Sequence, residues 1–240
     1  MDKLQKSAFA FLELLNTRYN ITLGRNAKQT DLAIAFAKVD FHHLAGLHKL
    51  KDNRISTGNR EKIFDNIIHN KITFADISDS KYLDSVLSRL SAAHLLETLL
   101  DCNSLVFRYN ERINVFSVIQ ADYFLKSSHE KQDYYIFIDK EEDSDTHFCR
   151  SFFPKENKDY TLRQPQYTVI YKEKVNLLTG EKIVQCDKLT PKAQKTTSLE
   201  EILANAKTKS DKYNKEREQN KQGKQGDLSK GIKKSDNEIE

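Results

Sequence analysis

Only three cysteines, Cys102, Cys149 and Cys186, occur in 240 residues, an odd number with no CxxC pair. This argues against a disulfide framework and a zinc ribbon, and the cysteines read as reduced thiols of an intracellular chain. Repeats are absent, so one principal core is the expectation. No run approaches the ~20 apolar residues that a bilayer-spanning helix needs. The apolar stretch Ala8-Phe9-Ala10-Phe11-Leu12 is broken by Glu13 and lacks a small-residue cleavage site. Secretion by an ordinary signal and membrane insertion are therefore not expected, and a cytoplasmic location is. The phosphate-cradling pattern GxxxxGKS/T, a strand-linked GxGxxG and GxSxG are also missing. Nucleotide binding of the common kinds and α/β-hydrolase chemistry thus lack support.

Charge is abundant but unevenly placed. Of 39 Lys+Arg and 35 Asp+Glu, the 50 residues from Pro191 onward hold 12 and 9, leaving 27 and 26 for residues 1–190. The pI near 8.7 thus reflects the tail more than the body, and any nucleic-acid site in the body must be a local patch. The tail is mostly Lys, Asn, Gln, Glu and Gly, which cannot bury enough apolar surface to form a core. It is expected to be disordered apart from one short helix beginning near Thr196–Ser198. Two regions follow: a folded domain over 1–190 and a charged tail over 191–240.

Within the body, Leu4, Ala8, Phe11, Leu12 and Leu15 share a stripe at helical spacing and predict an amphipathic helix over Lys3–Leu15. Asn20–Leu23 and Asp31–Ala37, separated by Gly24-Arg25-Asn26, suit a hairpin, although the alanines of the second run also suit a helix. Phe41–Leu50, Asn59–Asn70 and Asp84–Asp101 read as three further helices. After Cys102 the pattern changes to six short strands: 104–109, 121–125, 134–139, 147–153, 166–172 and 182–186, with Thr179-Gly180 turning between the last two. Helices followed by strands imply an α+β fold, with N-terminal helices packed on a C-terminal antiparallel sheet.

Three of the seven histidines crowd into Phe41-His42-His43-Leu44-Ala45-Gly46-Leu47-His48-Lys49-Leu50. Taken as one helix at about 100° per residue, this segment puts Phe41, Leu44, Ala45 and Leu47 on an apolar face. His48 then points into that face, His42 and Lys49 lie opposite it, and His43 sits at its rim beside Gly46. A helical glycine costs about 1 kcal/mol relative to alanine, so Gly46 hints that a ligand or another part of the chain comes close. An imidazole with a pKa near 6.5 suits proton transfer, and His43 is the best placed for it. A hydrogen-bonded core His48 and a solvated His42 remain the plain structural alternative. The five-residue separation of His43 and His48 does not suit a shared helical face, and no metal site is expected.

In the strand half, Cys149-Arg150-Ser151-Phe152-Phe153-Pro154, with Tyr160, Arg163, Gln164 and Tyr167 downstream, combines cations and hydroxyls with aromatic faces. Such groups can hold phosphate and stack bases, while Phe152 or Phe153 suits the core and Arg150 suits an ordinary surface position.

The pattern Phe41-x-His43-Leu44-x-Gly46, then Ala121-Asp122-Tyr123-Phe124-Leu125, then Ser151-Phe152-Phe153 with Tyr160 and Gln164, resembles a phage and mobile-element branch of the barnase/EndoU/colicin/RelE-like nuclease superfamily over residues 1–190. His42 and His48 lie outside that pattern. The resemblance implies a metal-independent endoribonuclease of toxin or effector type that needs no cofactor and cleaves RNA through its 2′-hydroxyl. An immunity or antitoxin protein is an expected partner. It matches His43 to the family's helix histidine, for proton transfer. Ser151, Tyr160 and Gln164 match its strand-side polar positions, and Arg150 or Lys49, with His42 beside them, would meet the substrate. Two alternatives accompany this reading: an inactive RNA- or protein-binding module of the same fold, and an accessory phage or plasmid protein that docks through its tail.

Overall fold

The structure, a computed structural model, describes residues 1–114 and 117–190. The charged tail, including the short helix expected there, lies outside the described residues.

The first helix, α1 (Lys3–Leu14), starts where the sequence supplies a cap: the Asp2 carboxylate accepts from the Gln5 backbone N–H at 2.8 Å, and the Gln5 side chain reaches back to the Asp2 N–H. Two orphan amides are thereby satisfied. Its buried stripe of Leu4, Ala8, Phe11 and Leu14 faces the core. Then comes the hairpin β1 (Thr17–Arg25) and β2 (Lys28–Ile34). Its turn is Asn26-Ala27, both at positive φ (50° and 59°), so the two-residue loop has its twist-matching form one step beyond the Gly24-Arg25-Asn26 signal.

Short helices follow: α2 (Lys38–Leu44), α3 (Arg60–Ile68), α4 (Ala75–Ser78), α5 (Asp84–Ala92) and α6 (Leu96–Asp101). The single helix expected over 84–101 is interrupted by a 3-10 turn at Ala93–Leu95, which separates α5 from α6. Six strands complete the described residues: β3 (Leu105–Arg108), β4 (Tyr123–His129), β5 (Gln132–Lys140), β6 (Thr146–Pro154), β7 (Gln166–Asn176) and β8 (Lys182–Asp187).

The sheet is not the open antiparallel layer expected. In the order β1-β2-β6-β5-β4-β3-β7 it returns to β1, because β7 pairs antiparallel with β1 from Thr17↔Asn176 to Gly24↔Thr168. A seven-stranded barrel results, with β8 added along β7. The contact between β2 and β6 is parallel. The N-terminal hairpin thus joins the same sheet as the C-terminal strands. Closure satisfies backbone groups that an open edge would expose.

One face of the strands meets the helices in a continuous core. There Phe41 of α2 packs between Phe11 and Phe64, with ring centroids 5.6 and 5.2 Å away. The opposite face of β3–β6 carries a second cluster, Phe107, Tyr109, Phe124, Tyr135 and Phe137, against which Phe153 and Tyr160 rest. Burying a phenylalanine contributes about 1.5–3 kcal/mol, so these clusters fix α2 and the end of β6 firmly enough to aim side chains from them.

Candidate functional site

A cleft of about 700 Å³ lies where α2 and the turn after it, the start of α5, the end of β6 and the segment Glu156–Tyr160 meet. Phe41 anchors α2, leaving the next two residues to turn different ways. His42 goes inward: it is 2% exposed, with Nε2 2.8 Å from the Ile55 carbonyl. His43 is half-buried and lines the cleft. Gly46 then takes φ +79° and ends the helix, and residues 47–49 form a separate 3-10 turn. That left-handed residue turns the chain and brings His48 back beside His43, with ring centroids 4.6 Å apart. The expectation that His48 enters the apolar face while His42 meets solvent is reversed, because it rested on one helical phase running through Gly46. What Gly46 approaches is α5: a Cβ there would sit 3.2 Å from Val86 and 3.3 Å from Arg89.

The strand side is shaped by a bulge. Phe137 pairs with Ser151 and Ile138 with Cys149, leaving Arg150 as the extra residue of β6. A bulge shifts the alternation of side chains, so Cys149 and Phe152 both join the helix-side core while Arg150, Ser151 and Phe153 all line the cleft. Arg89 of α5 crosses to this strand: its Nη1 donates to Ser151 Oγ at 3.1 Å, and its guanidinium lies 4.9 Å over the Phe153 ring. Tyr160 packs 5.7 Å from Phe153, and the Lys158 ammonium sits 4.7 Å over the Tyr160 ring.

Lys49, Arg89, Arg150 and Lys158 thus line the cleft, against the carboxylates Asp84 and Glu156. Arg150 has a partner in Asp139 at 3.5 Å. Arg89, although half-buried, makes no ion pair among the described residues. Burial lowers the pKa of Arg89 and of Lys49. Burial likewise brings His43 down to about 4, helped by repulsion from Arg60, His42, Arg150 and Arg89. His48 also falls to about 4, through burial first and then through His43 and Arg89. Both imidazoles are therefore neutral at pH 7 and able to accept a proton, and an anion entering among these cations would favour their charged forms.

Five of the residues singled out from sequence, His43, Lys49, Arg150, Ser151 and Tyr160, line the cleft together; His42 and Gln164 do not. Gln164 is 7% exposed and holds a loop: its Oε1 accepts from the Asn110 N–H at 2.8 Å and its Nε2 donates to the Asn110 carbonyl at 3.1 Å. Arg89 and Lys158 were not anticipated. For Arg89 a signal existed, an arginine three residues after Val86 and next to Leu90, within the core-facing stretch of α5. Arg163, another sequence candidate, does not line the cleft and sits at a turn with φ 61°.

Among the described residues no helix is long and apolar enough to cross a membrane. Nor does any group of three His, Cys, Asp or Glu side chains there come together as metal ligands.

A closed α+β barrel flanked by short helices sets neutral histidines and the side chains of Lys49, Arg89, Arg150 and Lys158 around one cleft, an arrangement able to move a proton and to hold phosphate. Residues 3–189 match the model of the family described as phage-Barnase-EndoU-ColicinE5/D-RelE like nuclease4, and the chain belongs to that nuclease family. No curated protein and no solved structure matches the chain.

Proposed function

We propose that the protein is a metal-independent endoribonuclease that cleaves RNA by transphosphorylation, of the toxin or effector type. The observation that carries this reading is Arg89: a half-buried guanidinium with no carboxylate partner among the described residues, donating to Ser151 in the same cleft as His43. An unpaired, partly desolvated cation is costly unless an anion completes it, and a bidentate fork suits phosphate.

His43, neutral at pH 7, takes the proton of the 2′-hydroxyl. The freed oxygen attacks phosphorus, the bond to the 5′-oxygen breaks, and a 2′,3′-cyclic phosphate forms. Arg89 and Arg150 stabilise the charge that develops on the phosphorane oxygens, and Ser151 orients Arg89. The Tyr160 hydroxyl, which lines the same cleft, returns a proton to the departing 5′-oxygen. Lys49 and Lys158 hold flanking phosphates, and the faces of Phe153 and Tyr160 suit stacking.

Purified full-length protein in EDTA should cleave RNA to products ending in a 2′,3′-cyclic phosphate. His43→Ala, with unchanged circular dichroism, should lower kcat by roughly 10²–10⁴-fold, the range for loss of a proton-transfer group. Activity that requires a divalent ion, acts equally on DNA or survives His43→Ala would overturn the proposal.

A further inference from the structure

His43 and Arg150 are shared by two cavities. Beyond them, away from Lys158 and Tyr160, a second cavity of about 540 Å³ opens between α2, the start of α3 and the beginning of β6. Its chemistry differs from that of the cleft. Phe36, Val39 and Phe148 supply apolar walls, and the polar groups include the carboxylates Asp40 and Glu141 with the guanidinium of Arg60.

Each carboxylate is oriented by one bond, from the Ala37 N–H to Asp40 Oδ2 at 2.7 Å and from the Thr146 hydroxyl to Glu141 Oε2 at 2.6 Å. Neither carboxylate, nor Arg60, is in an ion pair among the described residues. Burial, with Glu141 nearby, raises Asp40 to about 6 against the opposing pull of the Ala37 bond, so at neutral pH it still accepts hydrogen bonds.

A phosphate is repelled by two carboxylates, whereas a base edge carrying N–H groups is attracted to them, and apolar walls cover its faces. The first cavity sets four cations against two carboxylates and the second only two against two, so the first suits the phosphate of a nucleotide and the second its base. Guanine alone among the four RNA bases offers two adjacent donors, N1–H and the N2 amino group, to a carboxylate, and its O6 and N7 accept from a guanidinium. Uracil would instead turn its O2 and O4 acceptors toward the carboxylates.

We infer that this second cavity is a base subsite selecting guanine beside the phosphate held at His43 and Arg150. The inference rests on the RNA-cleaving reading of the first cleft, which the experiment tests separately. Short RNAs with a single 2′-hydroxyl, the other sugars being 2′-deoxy, can carry G, A, C or U on either side of the cleavable linkage. Guanine on one side should raise kcat/KM by about ten- to hundredfold over the other bases, the discrimination expected of one good bidentate contact. Glu141 is exposed, so Glu141→Gln keeps the fold and should collapse that ratio, as should Asp40→Asn.

Binding of the four nucleoside 3′-monophosphates, measured by calorimetry, reads the subsite without any turnover. Tighter binding of the guanosine form that is lost in Glu141→Gln supports the subsite even if no RNA is cleaved, an outcome that sinks only the cleavage reading. Equal affinities for the four monophosphates, or a preference that neither variant alters, overturns the subsite while leaving cleavage standing. A preference for adenine or cytosine that depends on Glu141 overturns the assignment to guanine.

Discussion

Burial first, and then neighbouring cationic groups, hold His43 and His48 near a pKa of 4, well below an ordinary imidazole. The folded chain thus binds fewer protons than the unfolded one between about pH 4 and the unperturbed value near 6.5. Stability contributed by these two groups is fully present above that window and is lost as the pH falls through it. A thermal-denaturation series from pH 7 to pH 4.5 should show His43→Gln/His48→Gln losing less stability on acidification than wild type. Parallel curves would show that the pair is not the source. Arg89 belongs to the same scale. In Arg89→Lys the charge stays but the fork that reaches Ser151 while lying over Phe153 is lost, and kcat for RNA cleavage should fall by roughly 10²–10³-fold, the loss typical of a transition-state donor. Rates within a few-fold of wild type would remove Arg89 from the site.

Two backbone irregularities assemble the cleft from otherwise ordinary elements. The β6 bulge at Arg150 lets the consecutive residues Arg150 and Ser151 both line the cleft, and the left-handed Gly46 ends α2 and returns His48 to His43. Neither follows from propensity alone, since a bulge depends on how the partner strand pairs. Gly46 was legible as an oddity in a helical pattern, though the occupant of the space beside it was not. Gly46→Val should destabilise the protein by about 1–3 kcal/mol, because a branched residue is strained at φ +79° and its Cβ would press on Val86 and Arg89. Chemical denaturation measures this, and a change below about 0.5 kcal/mol, the usual size of a surface substitution, would contradict it.

At the scale of the molecule, the helices and strands were legible as types because each writes its own short-range period into the sequence. The asymmetry between residues 1–190 and the following 50 was also plain in composition. Ending the chain at Thr190 is therefore expected to leave the melting temperature within about 2 °C of the full-length value, as a segment too polar to bury a core contributes little. A drop of 10 °C would assign the tail a structural role.

Hydrophobic periodicity and turn chemistry by themselves determined that a helix opens the chain, that further helices precede the last six strands and that His43 stands at the rim of a buried face, whereas the alanines of Asp31–Ala37 left the first hairpin open against a helix. Closure of the barrel was decided only by tertiary structure, because the alternation of β1 and β7 is the same whether their edges are open or paired. The composition of the cleft was decided there too. His43, Arg89 and Ser151 lie far apart along the chain, and Arg89 meets Ser151 across 62 residues. Periodicity reaches only a few residues, so it can say that Arg89 lies on a core-facing stretch; what it meets there depends on how α5 packs against β6.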